Sequence, residues 1–219
     1  MKVVAISDVH CKWNKLIIPE CDLLISAGDY SFLGEPHVVK DFHKWFSKQP
    51  AKHKISLQGN HEKQVEKNFA ISKQIAEEAC PGIHFIDEGL VEVEGTKIWC
   101  SAITPFFCNW AWNRYPGDEI QKHWDRIPDG MDIVVTHGPV FGILDSLMNF
   151  NGQKCEWEEK HLGCPQLLKR VLEVKPKLHI GGHIHPGYGM KTQDGITFIN
   201  AAICDDSYNA VNQPIVTEI

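Results

Sequence analysis

Five short motifs in the sequence carry side chains of the types that commonly bind metal ions in proteins. They are Asp8-Val9-His10, Gly28-Asp29, Gly59-Asn60-His61-Glu62, His137-Gly138 and Gly182-His183-Ile184-His185. Carboxylate, amide and imidazole groups together suit two divalent cations about 3.5–4 Å apart, which neutralise phosphate oxygens and lower the pKa of a bound water. Each motif alone has an ordinary explanation, such as a turn or a surface histidine. Their joint occurrence predicts a two-metal centre that breaks P–O bonds.

The residue types also suggest how two cations would be shared. Asp29 is the natural bridging carboxylate between them. The first cation is predicted to bind Asp8, His10, Asp29 and His185, and the second is predicted to bind Asp29, Asn60, His137 and His183. His61 is left without a metal and is predicted to protonate the leaving oxygen or to position the phosphate. Mixed nitrogen and oxygen ligands suit Mn, Fe, Co, Ni or Zn, and Mn²⁺ is the expected ion.

Each motif lies at the end of a predicted buried strand or directly after it. Short apolar runs rich in β-branched residues predict strands at 2–7, 23–27, 55–58, 132–136, 177–180 and 196–201. Helices are predicted at 36–48, 62–78 and 164–174, and a hairpin joins 91–93 to 97–100. Alternating strands and helices predict an α/β fold. Ligand sites in such folds collect at the carboxyl ends of the strands, so the motifs should meet at one rim.

The segment 104–129 differs from the rest because it is rich in aromatic residues. It is predicted to be a long loop or small cap on a single domain that spans 1–219. Its aromatic side chains are expected mainly in the core, with base stacking as the alternative. Asn109 and Arg114 are its predicted phosphate or sugar contacts.

The remaining histidines are not predicted to bind metal ions. His179 lies inside a predicted strand and is expected to be a core residue. Surface positions are predicted for His37, His43, His53, His84, His123 and His161. Asp145 is predicted either to support the metal ligands or to cap a helix.

The overall composition restricts the classes of partner. The 219 residues carry a formal net charge of −6 and no basic stripe, which disfavours long nucleic acids. A small phosphorylated substrate such as a nucleotide stays compatible, because bound cations add local positive charge. No apolar run approaches the roughly 20 residues of a membrane span, and the first residues lack the features of a signal peptide. The eight scattered cysteines form no CxxC pair, so we expect reduced thiols in a cytoplasmic protein, with disulfides as the alternative.

The ordered motifs resemble the calcineurin-like metallophosphoesterase superfamily, whose pattern is D-x-H, G-D, G-N-H-D/E, H and G-H-x-H. The resemblance extends over nearly the whole chain. It implies a four-layer αββα sandwich, in which two mixed sheets are flanked by helices and a dimetal site lies at one edge. It also implies the ligand assignment given above.

A closer resemblance is to the metallophosphoesterase-domain-containing group, also called 239AB-like. It is carried by Trp45-Phe46, Thr104-Pro105-Phe106, Ile127-Pro128, Thr136-His137-Gly138-Pro139, Gly142–Asp145, Gly163-Cys164, Pro176-Lys177-Leu178-His179, Gly182–Tyr188, Asn200-Ala201 and Asn212-Gln213-Pro214-Ile215. This group implies a metal-dependent phosphodiesterase with small nucleotides, cyclic ones among them, as ligands. One member type has glycine at the first histidine of the last motif. His183 stands there in this chain, so the second metal site is expected to be intact.

The sequence departs from the Ser/Thr phosphatase branch, which reads G-D-Y-V-D-R-G after its second strand. Phe32 replaces the aspartate that would partner the catalytic histidine, and Leu33 replaces the phosphate-binding arginine. A protein phosphatase is therefore disfavoured. A phosphomonoesterase, a nuclease and a catalytically silent scaffold remain as alternatives, and the complete ligand set disfavours the scaffold.

Overall fold

The computed structural model describes residues 1–146 and 161–219, and in these ranges the chain forms thirteen strands and five α-helices. The strands are β1 (Lys2–Ile6), β2 (Cys21–Ala27), β3 (Ala51–Leu57), β4 (His84–Ile86), β5 (Glu88–Val93), β6 (Thr96–Ser101), β7 (Thr104–Pro105), β8 (Asn113–Arg114), β9 (Ile133–Thr136), β10 (Leu178–Gly181), β11 (Gly189–Gln193), β12 (Ile196–Asn200) and β13 (Ile215–Glu218). The helices are α1 (Pro36–Ser47), α2 (Lys63–Lys67), α3 (Phe69–Ala79), α4 (Asp118–Trp124) and α5 (Pro165–Val174).

Two large mixed sheets form the body of the protein. The first has the order β13-β1-β2-β3-β4, and only β13 runs antiparallel to its neighbour. The second has the order β11-β12-β10-β9-β6-β5, with parallel pairing among its four inner strands and antiparallel strands at both edges. One cluster of buried apolar side chains includes residues of both sheets. Helix α1 packs with α3, and α4 packs with α5. This architecture confirms the predicted α/β sandwich.

The local sequence explains why the main elements form where they do. The inner strands are short runs of Val, Ile and Leu that are buried along their length, as expected for parallel strands covered on both faces. Helices α1 and α5 both begin with proline, whose fixed φ and missing N–H suit the first helical turn. The predicted hairpin is present as β5 and β6. Strands β4, β11 and β13 were not predicted, since each is short or partly polar.

The predicted helix at 62–78 is wrong in one respect, because the chain forms two helices there. Asn68 separates α2 from α3 with φ −134° and ψ 45°, which is not helical. Asparagine side chains compete for backbone hydrogen bonds and so favour helix ends. The side-chain amide nitrogen of Asn68, Nδ2, lies 3.4 Å from the carbonyl oxygen of Gln64.

The prediction that His43 lies on the surface is also wrong. Its side chain is fully buried, between α1 and the first sheet. Nδ1–H donates to the carbonyl oxygen of Val39 at 2.7 Å, and the Ser56 hydroxyl lies 3.1 Å from Nε2. His43 shares one helical face with Val39, Phe42 and Phe46, which are all buried. This helical spacing of His43 with apolar residues was the sequence signal that its side chain would be buried.

Several smaller predictions can be placed on this fold. His179 is buried and its Nε2 lies 3.0 Å from Thr136 Oγ1, which confirms a core histidine. Segment 104–129 contains β7, β8 and α4, so it is more ordered than a loop. Whether 1–219 forms a single domain stays a prediction. The seven cysteines that the structure describes are free, and Cys155 lies outside the described residues. In the described ranges, no helix has both the length and the apolar character needed to span a membrane.

Candidate metal centre

The two sheets meet at the edge where the predicted motifs lie. The Ser7 amide donates to the carbonyl oxygen of Ala201 at 2.9 Å, and the Ile203 amide donates to that of Ser7 at 2.8 Å. These bonds join the end of β1 in the first sheet to the end of β12 in the second. The loops that follow β1, β2 and β3 therefore face those that follow β9 and β10. All seven predicted metal ligands lie on these five loops.

The first predicted ligand set comes together closely. Asp8, His10 and His185 offer ligand atoms that all lie within 4.8 Å of one another. His185 Nε2 lies 3.4 Å from Asp8 Oδ1 and 3.3 Å from His10 Nε2. These atoms come from both sheets, since His185 follows β10 whereas Asp8 and His10 follow β1.

The second predicted set is equally compact. Asp29, His137 and His183 meet the same 4.8 Å criterion. His137 Nε2 lies 3.3 Å from Asp29 Oδ2 and 2.8 Å from Asn60 Oδ1. Asp29 is also grouped with His10 and His61, so its carboxylate lies next to both sets. This position fits the predicted bridging role.

Backbone carbonyl groups fix the imidazole rings so that Nε2 faces the centre. The Nδ1–H of His10 donates to Ser31 O at 3.2 Å. The Nδ1–H of His137 donates to Ala27 O at 2.9 Å, and that of His185 donates to Asp205 O at 2.9 Å. A neutral histidine with Nδ1 protonated has its lone pair on Nε2. Such outer hydrogen bonds are typical of histidines that bind metal ions.

Two further observations fit a cation between these groups. Asp8 Oδ1 is buried and has no hydrogen-bond partner, which is costly unless a cation is bound there. Four of the seven predicted ligand residues have positive φ angles, namely Asp8, His10, Asp29 and His183. Backbone in this region is strained for residues other than glycine and clusters at functional sites.

The buried carboxylates of the candidate metal centre also favour a positive charge close to them. Burial opposes ionisation of Asp8, but the adjacent His185 imidazole holds its pKa below the ordinary value. Burial lowers the pKa of His137, yet the Asp29 charge outweighs it and raises that pKa to about 10. The pKa of His185 rises to about 9 because Asp8 outweighs burial in the same way. Burial dominates for His10 and lowers its pKa to about 4. The carboxylates thus attract protons that a metal ion would displace.

His61 lies beside the ligand sets with its ring firmly held. Its backbone N–H donates to Asp29 Oδ1 at 2.8 Å, and Nδ1–H donates to Phe32 O at 3.0 Å. Nε2 is 3.9 Å from Asp29 Oδ2. The Trp110 indole stacks on the imidazole with 4.3 Å between centroids and 29° between planes.

Glu62 has a structural role that the sequence did not reveal. It reads as a residue of the first helical turn, but its carboxylate points inward and is fully buried. It accepts hydrogen bonds from the backbone N–H groups of Asp29, Ser31 and Gly59 at 2.9, 3.0 and 2.8 Å, and from the Ser31 hydroxyl at 2.8 Å. Burial and the Asp29 charge raise its pKa to about 8, although these bonds oppose the rise. Glu62 therefore braces two of the loops that carry predicted metal ligands.

An open cavity leads from the solvent to the predicted ligands. It is lined by Asp29, Asn60, His61, Phe107, Trp110, His183, His185, Asp206 and Tyr208. Phe107, Trp110, Asp206 and Tyr208 were not predicted as site residues. The sequence offered only the aromatic richness of 104–129 as a signal, and nothing for the turn at 205–209.

The predicted substrate contacts Asn109 and Arg114 do not line this cavity. Asn109 is exposed to solvent. Arg114 Nε donates to His123 Nε2 at 3.2 Å, and Arg114 Nη1 donates to Asn113 O at 2.8 Å. His123 in turn donates from Nδ1 to Glu88 at 3.0 Å. Its side chain is half-buried, so the prediction of a surface position is only partly right. Arg114 is therefore engaged in a network away from the predicted ligands.

Asp145 does not support the metal ligands directly. It is buried, and its Oδ2 accepts hydrogen bonds from the Gly142 and Gly163 amides at 2.9 Å each. Its Oδ1 lies 2.7 Å from His161 Nδ1. Asp145 thus holds two loop segments together.

Comparison with known proteins agrees with this fold and site. The model of the calcineurin-like phosphoesterase family matches residues 1–187, so the chain belongs to that family of metal-dependent phosphoesterases. Metallophosphoesterase domain-containing protein 1 of Homo sapiens is 33% identical over 241 aligned positions, which cover 100% of this chain and 71% of that protein. UPF0046 protein C25E10.12 of Caenorhabditis elegans is also 33% identical, with 100% and 81% covered.

A solved structure shows the same fold at low sequence identity. Phosphopantetheinyl Hydrolase (PptH) from Mycobacterium tuberculosis superposes with a TM-score of 0.60 and 13% identity. The superposition covers 92% of this chain and 89% of that chain. At this identity the similarity concerns the fold alone.

Proposed function

We propose that this protein is a two-metal phosphodiesterase that hydrolyses small nucleotides, cyclic ones among them, in the cytoplasm. The observation that carries the proposal is the position of Asp29, whose carboxylate belongs to two groups of candidate ligands at once. Two cations bound there, with Mn²⁺ as the expected ion, would polarise the phosphoryl oxygens and activate the attacking water. The free thiols of the described cysteines suit a reducing compartment.

The chain's own residues account for the remaining chemistry. Asp8, His10, Asp29 and His185 would hold one cation, and Asp29, Asn60, His137 and His183 would hold the other. The attacking water forms a new P–O bond and loses one proton to solvent. The leaving oxygen departs with the electron pair of the broken P–O bond and takes a proton from His61 Nε2. Solvent then returns a proton to His61.

The lining of the cavity supports a diester rather than a monoester. A monoester dianion carries one more negative charge than a diester and gains from additional cationic side chains. Among the described residues that line the cavity there is no arginine or lysine, whereas Asp206 is acidic. Phe107 and Tyr208 provide apolar surface for the second ester group. Planar nucleobases suit such rings because they stack on aromatic side chains.

Metal analysis followed by a substrate screen tests this proposal. We expect up to two transition-metal ions per chain, loss of activity with a chelator and recovery with Mn²⁺. We also expect at least about tenfold higher kcat/KM for a nucleotide diester than for the matching monoester, about 1.4 kcal/mol of transition-state preference. Higher activity on monoesters or on long nucleic acids would instead favour the phosphomonoesterase or the nuclease. Activity that survives complete chelation, with no metal detected, would contradict the proposal entirely.

A further inference from the structure

The imidazole of His61 is restrained on three sides. Phe32 O accepts the Nδ1–H bond, His10 meets the ring edge-on at 4.8 Å, and Trp110 covers a ring face at 4.3 Å. The hydrogen bond to Phe32 O fixes which nitrogen faces the cavity. Rotation of the imidazole about that hydrogen bond is opposed by the Trp110 indole, which stacks on the ring face. The Trp110 indole is therefore the contact that sets the plane of the His61 imidazole.

Trp110 is itself anchored to the predicted metal loop. Its backbone N–H donates to Asn113 Oδ1 at 3.1 Å. The next residue, Ala111, donates its N–H to Asn60 O at 3.1 Å, and the Trp112 N–H donates to Glu66 Oε1 at 2.8 Å. The segment that carries the indole is thus bound to the loop that carries His61 and to helix α2, which follows that loop. In addition, Lys63 Nζ lies 5.0 Å from the indole centroid, within range of a cation–π contact.

We propose that Trp110 is a positioning residue that orients His61 for proton transfer to the leaving oxygen. This inference rests on the proposed function, because it assigns Trp110 a part in the same reaction. Displacement of a reacting group by about 1 Å can cost about 10²-fold in rate, so a ring that turns freely is a poor proton donor. The aromatic residue acts through His61 and not through the substrate.

The competing role for Trp110 is a platform for the substrate's base. Contacts of the indole with His61 and Lys63 already occupy part of its surface. Phe107 also lines the cavity and is 60% exposed, so it is the freer aromatic surface there. Phe107 therefore supplies a matched comparison for Trp110.

The experiment compares Trp110→Ala, Trp110→Phe, Phe107→Ala, His61→Ala and the double variant W110A/H61A, each with the metal content measured. Two diesters serve as probes, one with a ribose alkoxide leaving group and one with nitrophenolate. We expect Trp110→Ala to lose about 10–100-fold in kcat on the alkoxide ester and less than about threefold on the nitrophenyl ester. Trp110→Phe should keep most of the activity, since a benzyl ring can still stack. Phe107→Ala should change KM for both esters alike.

The double variant separates the two roles of Trp110. If the indole acts through His61, W110A/H61A is no slower than His61→Ala. A further loss in the double variant, or equal losses of Trp110→Ala on both esters, would overturn the inference and favour the platform.

A second measurement does not depend on activity. In Zn²⁺-loaded protein, the His61 ring protons should shift in the NMR spectrum when Trp110 is replaced by alanine, with the signals assigned from His61→Ala. Unchanged His61 signals would reject the stacking contact. If the wild-type protein hydrolyses none of the esters, the proposed function fails while this measurement still tests the contact.

Discussion

The backbone N–H of His183 donates a hydrogen bond to Asp8 Oδ2 over 2.8 Å. Asp8 follows β1 in the first sheet and His183 follows β10 in the second, so this bond ties the two sheets together at the metal centre. It also occupies one carboxylate oxygen of Asp8 and leaves Oδ1 for a cation. The bond depends on a close approach of the Gly182 backbone, where an added Cβ would overlap with Asp8 Oδ2 and the Ser7 side chain.

Replacement of Gly182 by alanine should therefore displace Asp8 and weaken the first metal site. We expect metal affinity there to fall about 10–100-fold, as is typical when the support of a ligand is lost. Titration against a competing chelator measures this. Gly95→Ala is the control, because Gly95 lies in the β5–β6 turn with a positive φ, and an added Cβ there would meet no other atom within 4 Å. Equal metal loss in both variants would show that general strain, not Asp8, is responsible.

Asp29→Ala should be the most damaging change among the ligands, because it removes the carboxylate shared by both sets. We expect metal content to fall at both sites, whereas His10→Ala should empty only the first. Elemental analysis of both variants, purified in parallel, gives the two stoichiometries. If Asp29→Ala kept two metals while His10→Ala lost them, Asp29 would not be the bridge.

His61→Ala should keep both metal ions and lose rate in a way that depends on the leaving group. A ribose alkoxide needs a proton as it leaves, and nitrophenolate hardly does. We expect a loss of about 10²–10⁴-fold in kcat/KM on the nucleotide diester and a much smaller loss on the nitrophenyl ester. Loss of metal from this variant would instead make His61 a ligand, as its grouping with His10 and Asp29 would permit. Equal losses on both esters would favour phosphate positioning.

Glu62→Gln should destabilise the protein, because an amide NH₂ would replace an oxygen that accepts backbone hydrogen bonds. Two buried donors would then lack an acceptor, at a cost of about 1–3 kcal/mol for each such group. Urea denaturation in the presence of chelator measures the free energy of unfolding without the contribution of metal. The control is Glu66→Gln, which keeps the oxygen that accepts the Trp112 N–H. A Glu62→Gln variant as stable as that control would reject the bracing role.

The clustering of the seven candidate metal ligands was predictable because their signal is local. Each lies within a short motif, and each motif lies at the end of a short apolar run that forms a strand. The carboxyl ends of β1, β2, β3, β9 and β10 must meet if the sheets pack, so the motifs alone suffice to place seven side chains at one edge. The α/β class followed from the alternation of strands and helices, whereas the two-sheet sandwich followed from the family resemblance.

The contacts around the ligands were not predictable because they depend on packing between distant segments. Glu62 reads as a helix residue, and only the approach of the loop after β2 turns it into a buried acceptor. Trp110 reaches His61 from a segment in which Asn109 and Arg114 were the predicted contacts. Tyr208 and Asp206 come from a turn without a motif. In each case the partner lies far away along the chain, and no periodicity in the sequence encodes it.

Acid should destabilise the protein partly through His43. Burial lowers the pKa of this histidine from 6.5 to about 4 in the folded state. Between these values the unfolded chain binds more protons than the folded one, so stability is present above pH 6.5 and is lost as the pH falls toward 4. The shift corresponds to about 3 kcal/mol at full effect.

The slope of stability against pH tests this assignment. We expect the unfolding free energy of His43→Gln to fall less steeply between pH 6.5 and 4 than that of the wild type, in urea titrations with chelator present. His37→Gln is the matched control, since His37 lies exposed on the same helix. Parallel slopes for His43→Gln and the wild type would show that other groups dominate the acid response.

Because the metal centre lies between the two sheets, bound metal ions would also affect the stability of the fold. Each predicted cation would take ligands from both sheets, so it binds the folded chain far better than the unfolded one. By mass action, a cation present at about 100 times its dissociation constant adds about 2.7 kcal/mol to stability. The concentration of free metal around the protein would therefore set the fraction of chains that are folded as well as how fast the reaction runs.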